Sequence, residues 1–333
     1  MPVIDVHNHV VPSDFPVSPS ACCAERWPST ETRPDGKTSV VIGGKVFRVI
    51  DSRCWDAARR AGDMDGERID MQVLSPMPEL LSYWIDSEPA RVMARHVNGA
   101  IAAMVASNPE RFVGLGMVPL QDPQLAAKEL SSFKSEFNLI GVEIGSNILG
   151  RPPGDPMFDP FFAEAERLDM PIFVHALHPT GMDRLVGPPR LATFLNFPVD
   201  TGFAVASMIT GRTLEKFPRL RVAFSHGGGT FAMMLPRLDA GWRNDAEVKA
   251  LCASPVETAR RFYYDNLVFD VATMRHLCTV FGKSQIFVGT DYPFGAGQKD
   301  PLALVEALGF SEEDIDLIRG DNAARFLGLE PAG

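Results

Sequence analysis

The stretch Val3-Ile-Asp-Val-His-Asn-His9 decides the fold, because an apolar, strand-like run in it ends in two histidines. A histidine or an aspartate also ends three later runs, Phe173-Val-His175, Phe224-Ser-His226 and Val288-Gly-Thr-Asp291. Only seven histidines occur in the 333 residues, and four of them end such runs. A parallel barrel builds a metal site from ligands at the carboxyl ends of separate strands. The pattern therefore predicts a metal site on a parallel barrel.

Eight short apolar runs recur along the chain, and their lack of strict alternation fits strands that are buried on both faces. Helical periods separate them, for example over residues 89–106 and 160–168, and Ser311 followed by Asp314 has the form of a capping box before a C-terminal helix. The alternation predicts an α/β fold, a (β/α)8 TIM barrel formed by residues 1–333 as one domain. The predicted strands are Val3–Val10, Ile69–Ser75, Phe112–Pro119, Leu139–Ile144, Pro171–Ala176, Leu220–Ser225, Tyr263–Asp270 and Gln285–Thr290.

Residues 12–56 interrupt this alternation, since they are rich in Pro, Ser, Thr and Gly and have no long helical period. Within them, Ser39–Ile50 predicts a small β-hairpin that turns at Gly43-Gly44. An insertion after the first strand would lie over the active-site mouth, and a loop of this length is usually functional.

The composition limits the partners. A net charge of −10 argues against nucleic acid and anionic membranes. An anionic substrate is still compatible, because a local metal ion and arginines outweigh a distant acidic surface. No apolar run reaches the ~20 residues that span a bilayer, and Met1-Pro2 leads directly into the first strand without a signal peptide. Five irregularly spaced cysteines suggest reduced thiols. We therefore expect a cytoplasmic protein.

The candidate metal ligands gain weight from their joint placement. His7 and His9 lie two apart on one strand, so their side chains point to the same face. Either this pair or a lone histidine at a strand end is more often a structural feature than a metal site. Four histidines and Asp291 at the same end of a barrel favour a metal ion instead. Asp291 could ligate the ion and accept a hydrogen bond from its water.

His226 is the candidate proton carrier, because an imidazole pKa near ~6.5 allows proton exchange at neutral pH. The glycines of Gly227–Gly229 would allow close backbone approach to a ligand. His178 could line the pocket, whereas His96 and His276 lie in helical stretches and are expected to be structural.

The sequence is also compatible at first sight with two other functions. The string His226-Gly-Gly-Gly229 also matches the oxyanion loop of esterases, but the chain has no G-x-S-x-G nucleophile elbow. A regulatory or structural metal-binding protein has no need for a proton carrier beside an open water position. Both alternatives are therefore disfavoured.

Longer strings resemble the amidohydrolase superfamily, of the amidohydrolase 2 type, and within it the decarboxylases of 2-amino-3-carboxymuconate-6-semialdehyde. They occur in the same order over nearly the whole chain. The strings are Ile4–His9, Phe47-Arg48, Trp55-Asp56, Val118–Asp122, Ile140–Gly145, His226–Ala232, Pro236–Arg243, Gly289–Phe294 and Gly320–Phe326.

The resemblance implies one Zn²⁺ ion with a bound water, and His226 as the general acid/base beside it. The implied ligands are His7, His9, His175 and Asp291. They also suit Mn²⁺, Co²⁺ or Fe²⁺. Leu139–Asn147 contains no lysine, although binuclear relatives place a carboxylated lysine on that strand, so a single ion is expected.

The resemblance further implies that Arg48 and Arg237 bind substrate carboxylates, with Arg237 reaching the site of the neighbouring subunit in a homodimer. Without the resemblance, Arg48 would be interpreted as a hairpin surface residue and Arg237 as the partner of a nearby acid such as Asp239. The implied reaction is non-oxidative decarboxylation of an aromatic or muconate-semialdehyde-like carboxylic acid. The alternative is a metal-dependent hydrolase of an amide, lactone or ring C–C or C–N bond, or a hydratase, because the fold alone does not select the reaction.

Two segments near the expected substrate do not match the decarboxylase pattern. They are the loop 11–23 and the run after His175, Ala-Leu-His-Pro-Thr-Gly-Met-Asp-Arg-Leu185. Met182, Arg184 and Phe294 are candidate pocket residues there, with ordinary loop packing as the alternative.

Overall fold

Eight parallel strands form the framework of the molecule in the computed structural model, which describes residues 2–21, 23–294 and 300–329. Three further strands lie in the segment after the first one. In chain order the strands are β1 (Ile4–Val10), β2 (Ser29–Thr32), β3 (Thr38–Ile42), β4 (Lys45–Ile50), β5 (Met71–Pro76), β6 (Phe112–Gly116), β7 (Gly141–Gly145), β8 (Ile172–His175), β9 (Val222–Phe224), β10 (Tyr263–Asp265) and β11 (Ile286–Phe287).

Helices follow the barrel strands and cover the sheet. The predicted helical periods correspond to α2 and α4, and the Ser311 hydroxyl accepts the backbone N–H of Asp314 at the start of α12. The helices are α1 (Ala57–Glu67), α2 (Ser87–Ser107), α3 (Pro123–Leu130), α4 (Asp159–Arg167), α5 (Ala192–Thr210), α6 (Thr213–Lys216), α7 (Phe231–Asn244), α8 (Ala246–Leu251), α9 (Pro255–Ala259), α10 (Val271–Phe281), α11 (Pro301–Glu306), α12 (Glu312–Asp316) and α13 (Asn322–Leu327).

The sheet has the strand order β1-β5-β6-β7-β8-β9-β10-β11, and each strand is parallel to the next. Parallel bridges from Asp5 to Val288 and from Asn8 to Tyr292 join β1 to the segment that follows β11. The prediction of a (β/α)8 barrel is confirmed, and each of the eight predicted runs overlaps one barrel strand, although β5 and β7 each end one residue beyond the predicted run.

All eight predicted runs are longer than the strands that they overlap, and the difference is large in Tyr263–Asp270. In Tyr263–Asp270 the strand ends at Asp265. The end of that run begins a helix instead, because the Asp270 carboxylate accepts the backbone N–H groups of Ala272 and Thr273 at the start of α10. A capping side chain therefore competes successfully with strand propensity.

The barrel interior is filled by an apolar cluster that is separate from the larger one between strands and helices. Val6, Leu115 and Phe173 belong to the interior cluster, together with Phe326 of α13. The Phe173 ring lies 5.2 Å from the ring of His7. The packed interior thus lies directly against the histidines at the strand ends.

The segment 12–56 contains a three-stranded antiparallel sheet in the order β2-β3-β4. Strands β3 and β4 turn at Gly43-Gly44, where both glycines have positive φ and Ile42 pairs with Lys45. The third strand, β2, was not predicted, because Ser-Thr-Glu-Thr has no apolar residue to give a hydrophobic signal. It is held by backbone pairing to β3.

No helix in the described part of the chain has both the length and the apolar character to cross a bilayer. The four described cysteines, Cys23, Cys54, Cys252 and Cys278, are free thiols and are buried.

Candidate metal centre and active site

Four side chains from two strand ends and one loop converge at one end of the barrel. One nitrogen or oxygen atom from each of His7, His9, His175 and Asp291 lies within 4.8 Å of the corresponding atoms of the other three. The three histidines are buried, and the Asp291 side chain is 20% exposed. The structure thus brings together all four residues predicted to ligate a metal.

A protein oxygen orients each histidine ring. The Nδ1 atoms lie 2.6 Å from Asp265 Oδ2 for His7, 3.1 Å from the Pro76 carbonyl for His9 and 2.8 Å from the Ala176 carbonyl for His175. Because carbonyl and carboxylate oxygens can only accept, each Nδ1 carries the proton and each Nε2 points toward the other ligands. This is the arrangement in which imidazole binds a metal ion.

The free ring nitrogens fit an ion better than they fit each other. Nε2 of His7 and of His9 are buried and have no hydrogen-bond partner among the described residues. Asp291 Oδ1 lies 3.0 Å from His9 Nε2 and 3.7 Å from His7 Nε2. Tetrahedral ligands with bonds of about 2.0–2.1 Å are separated by roughly 3.3 Å. These distances, together with the unpaired buried nitrogens, fit a bound divalent ion.

The ionisable groups of the cluster are tuned in opposite directions. Burial alone would lower the pKa of His7, but the hydrogen bond and the charge of Asp265 raise it to about 9. Burial lowers the pKa of His9 and, together with the charge of His7, lowers the pKa of His175 well below its usual value. His9 and His175 are therefore neutral near pH 7, whereas His7 carries a proton that an ion must displace.

His226 lies beside the cluster without belonging to it. Its ring centroid is 5.2 Å from that of His7 and 5.1 Å from that of His175. Its Nδ1 contacts the Ser225 hydroxyl at 2.9 Å, and its backbone N–H donates to Asp265 Oδ2 at 2.9 Å. Burial and the charge of His7 lower the pKa of His226 to about 4. The ring is therefore neutral and able to accept a proton.

The glycines after His226 have a different use from the expected one. A Cβ atom at Gly229, where φ is 59°, would lie 1.9 Å from the carbonyl oxygen of Pro198, and one at Gly228 would lie 2.7 Å from the Tyr264 ring. They permit the turn to pack against α5 and β10 of the same chain. Close packing within the protein therefore accounts for these glycines, and close approach to a ligand stays a prediction.

A cavity of about 100 Å³ opens onto the cluster. Two of the predicted substrate residues, Arg48 and Phe294, line it together with His226. The Arg48 guanidinium lies 4.2 Å from the centre of the Phe294 ring, which stacks on His9 at 5.7 Å. A larger cavity of about 950 Å³ between the loop after β1 and α2 includes none of the four cluster residues, so size does not locate this site.

Met182 and Arg237 do not line this cavity. Met182 is exposed in a short turn after β8, and Arg237 is exposed on α7. Asp239, the alternative partner considered for Arg237, pairs with Arg243 at 2.8 Å. Binding of a substrate by Met182 and Arg237 stays a prediction.

The other histidines have separate surroundings. His96 lies in α2, where its Nε2 contacts the Asp14 carbonyl at 2.9 Å, and His276 lies in α10. His178 stacks on Trp84 with ring centres 4.6 Å apart and lines neighbouring cavities rather than this one.

Sequence reasoning missed three buried acids near the centre. Asp265 ends β10, Glu79 lies three residues after the end of β5, and Glu143 lies in β7. Applying the strand-end criterion to carboxylates as well as histidines would have found Asp265 and Glu79. Glu143 has no hydrogen-bond partner for either carboxyl oxygen among the described residues, and burial raises its pKa to about 8.

The sequence profile of the amidohydrolase family matches residues 4–329. The chain belongs to the amidohydrolase family. It is 35% identical to the 2-amino-3-carboxymuconate-6-semialdehyde decarboxylase of Dictyostelium discoideum over 98% of this chain and 92% of that protein. It is 27% identical to the gamma-resorcylate decarboxylase of Rhodococcus jostii over 80% and 86% of the two chains. The predicted resemblance is confirmed.

Solved structures share the fold. The 5-carboxyvanillate decarboxylase of Sphingomonas paucimobilis superposes with a TM-score of 0.79 at 23% identity, over 99% of both chains. A dihydroxybenzoic acid decarboxylase from a Polaromonas species, solved with bound manganese, gives a TM-score of 0.76 at 22% identity, over 99% of this chain and 98% of that one.

Proposed function

We propose that this protein is a carboxy-lyase, a metal-dependent non-oxidative decarboxylase of a small aromatic or muconate-semialdehyde-like carboxylic acid. The observation that carries the proposal is the cavity in which His226 and Arg48 face the cluster of three histidines and Asp291. The relatives described above are named decarboxylases, which supports this reaction over the hydrolase or hydratase alternative. The cavity is smaller than the ~300–1,000 Å³ of typical ligand sites, which favours a small acid.

We propose one divalent ion, held by His7, His9, His175 and Asp291. Nitrogen and carboxylate ligands suit Zn²⁺, and they also suit Mn²⁺, Co²⁺ or Fe²⁺. When bound, such an ion supplies Lewis acidity that stabilises negative charge and makes a nearby water acidic. Because a structural relative was solved with bound manganese, metal analysis of this protein has to decide between zinc and manganese.

The side chains of this protein would then orient the acid and move one proton. Arg48 offers a fixed fork of donors to a carboxylate, and its contact with the Phe294 ring limits where that fork points. Loss of CO₂ leaves an electron pair on carbon, and that carbon takes one proton in exchange. We assign this proton transfer to Nε2 of His226, which would take a proton from water and pass it to the carbon, because its Nδ1 is occupied by Ser225.

Several wider features belong to the same proposal. The contribution of Arg48 from β4 supports a role for residues 12–56 over the active-site mouth, within a single barrel domain. The exposed position of Arg237 on α7 leaves it available to a second subunit, as a homodimer with shared sites requires. Free, buried cysteines agree with a cytoplasmic location, where thiols stay reduced.

A metal-dependent CO₂-release assay tests the proposal. Protein stripped with a chelator and reloaded with Zn²⁺ or Mn²⁺ is offered a panel of aromatic and muconate-type acids, with His226→Ala as the control. We expect CO₂ release that needs the ion and is lost in the variant. Substrate loss without CO₂ would overturn the decarboxylase assignment and favour hydrolysis or hydration at the same centre.

A further inference from the structure

Glu79 is a carboxyl group in the wall of the active-site cavity that the reaction described above does not use. It lies in a short turn, Pro78–Leu81, that follows the carboxyl end of β5. Glu79 is only 8% exposed, yet it lines the cavity that also holds Arg48 and the metal cluster. A buried acid in such a position requires a polar partner.

The only partner that the described part of the protein supplies to the Glu79 carboxyl group is its own backbone N–H. Within the described residues, no cationic side chain lies within 4.0 Å of the Glu79 carboxylate, so Arg48 acts on it only as a more distant charge. Arg48 contacts Phe294 instead. The other carboxylate in the cavity wall, Asp291, belongs to the metal cluster. Glu79 is therefore the cavity acid that remains open to a ligand.

The surroundings restrict what that ligand group can be. Burial raises the pKa of Glu79, and the positive charge of Arg48 opposes the rise. In either protonation state a carboxyl oxygen can accept a hydrogen bond from N–H or O–H. An acid bound through Arg48 that also carries an amino or hydroxyl group would satisfy both side chains. An acid with only apolar substituents would offer Glu79 no hydrogen bond and would leave it only the bond from its own backbone N–H.

We infer that Glu79 is a specificity-determining residue, which selects small carboxylic acids that carry an amino or hydroxyl hydrogen-bond donor. This inference rests on the proposed function for the identity of the cavity as the substrate site. It adds the substituent that the substrate must carry and the side chain that recognises it. Discrimination arises because a buried acceptor that loses its partner has no water to replace it.

Equilibrium binding to the zinc-loaded protein tests the inference without any turnover. Calorimetry compares benzoate with the 2-, 3- and 4-aminobenzoate isomers for the wild-type protein, Glu79→Ala and Glu79→Gln. We expect at least one isomer to bind the wild type about tenfold more tightly than benzoate, the equivalent of one buried hydrogen bond. The preference should fall to about onefold in Glu79→Ala and persist in part in Glu79→Gln, whose amide oxygen still accepts.

The outcomes separate selection from a merely structural role. Damage to the cavity wall would weaken all four ligands alike and leave their ratio unchanged, and this result would overturn the inference. An absent preference in the wild type, or no measurable binding of any of the four, would overturn it as well. Zinc content and thermal unfolding of each variant show whether the centre is intact. Selective binding without CO₂ release from any acid would retain Glu79 as the selector and reject the decarboxylase proposal.

Discussion

Substitution of Asp265 by Asn should remove the proton that competes with the metal ion. The Asp265 carboxylate lies 2.6 Å from Nδ1 of His7, both side chains are fully buried, and the pair raises the pKa of His7 to about 9. Ion binding at Nε2 must displace the His7 proton, so affinity falls as pH falls. Above pH 7, His9, His175 and Asp291 have no proton to lose, because the pKa of each is lowered.

The magnitude follows from that pKa. Competition from the His7 proton weakens binding of the metal ion by a factor of 1 + 10^(pKa − pH). With a His7 pKa of about 9, this factor is about 11 at pH 8 and about 101 at pH 7. The wild-type dissociation constant should therefore rise about ninefold from pH 8 to pH 7 because of His7 alone. Without the carboxylate, burial lowers the pKa of His7, and this ninefold factor disappears.

The slope is a better readout than the affinity itself. Loss of an orienting partner typically weakens metal binding 10–100-fold, whereas loss of proton competition strengthens it about elevenfold at pH 8, so the two effects oppose each other. Chelator competition with Zn²⁺ at both pH values gives the slope. Calorimetry in two buffers of different ionisation enthalpy counts the protons. A proton lost by water at the ion is common to both proteins and cancels in the comparison.

Asp270→Asn is the matched control for Asp265→Asn. Asp270→Asn makes the same chemical change at an exposed helix cap, where Asn caps nearly as well, and should keep the wild-type slope. Asp265 also accepts the backbone N–H groups of His226 and Gly227, so Asp265→Asn should lose about 1–3 kcal/mol of stability. A folded Asp265→Asn protein with the wild-type slope would refute the role assigned to this pair.

Four further outcomes are expected. His226→Asn should abolish turnover while binding one ion per chain as the wild type does, which metal analysis and a CO₂ assay check together; a lost ion would make His226 a ligand instead. Arg48→Ala should weaken binding of a carboxylate ligand about 10–100-fold, with partial recovery in Arg48→Lys, since a charged hydrogen bond contributes about 1.5–3 kcal/mol; equal affinity in titrations would place the carboxylate elsewhere. If Arg237 reaches the partner's site in a homodimer, mixing inactive His226→Ala and Arg237→Ala subunits should restore activity at about a quarter of the sites. Half of the mixed dimers then contain one of each subunit, and one site in each of these has both side chains. No recovery of activity would show that Arg237 does not act in the partner's site. The pKa of Glu143 in the folded protein is about 8, above its value in the unfolded chain, so ionisation of Glu143 destabilises the metal-free protein as pH rises from about 5 to 8. Glu143→Gln should therefore raise the free energy of unfolding by about 1–3 kcal/mol at pH 8 and change it little at pH 5. Denaturant titrations at both pH values check this.

The fold was predictable because its signals are local. Every barrel strand overlaps a short run rich in apolar residues, and the histidines near the ends of β1 and β8 mark one end of the barrel without any knowledge of contacts. The strand β2 carried no such signal, since its residues are polar and only pairing with β3 makes it a strand. Hydrophobic pattern therefore gives the barrel, but it does not give elements that are held by backbone pairing alone.

The four residues that converge were predictable from the sequence, but the groups that tune them were not. Asp265 lies 258 positions from His7 in the sequence, and their contact exists only because β10 and β1 belong to the same barrel. The reach of Arg48 into the cavity came from the family resemblance, since its strand alone is compatible with a surface residue. Long-range electrostatics and cavity lining depend on closure of the barrel, which local sequence patterns do not describe.

The charge balance at the centre explains how such a site forms before it holds an ion. His7 carries a proton and lies 2.6 Å from Asp265 and 3.7 Å from Asp291, so one buried cation is paired with two carboxylates. Removing such a cation without replacement leaves buried negative charge unpaired, which is strongly destabilising. A divalent ion that displaces the His7 proton restores positive charge at nearly the same place. A bound ion would therefore exchange with a proton rather than create the site, and Asp265 would make that exchange depend on pH.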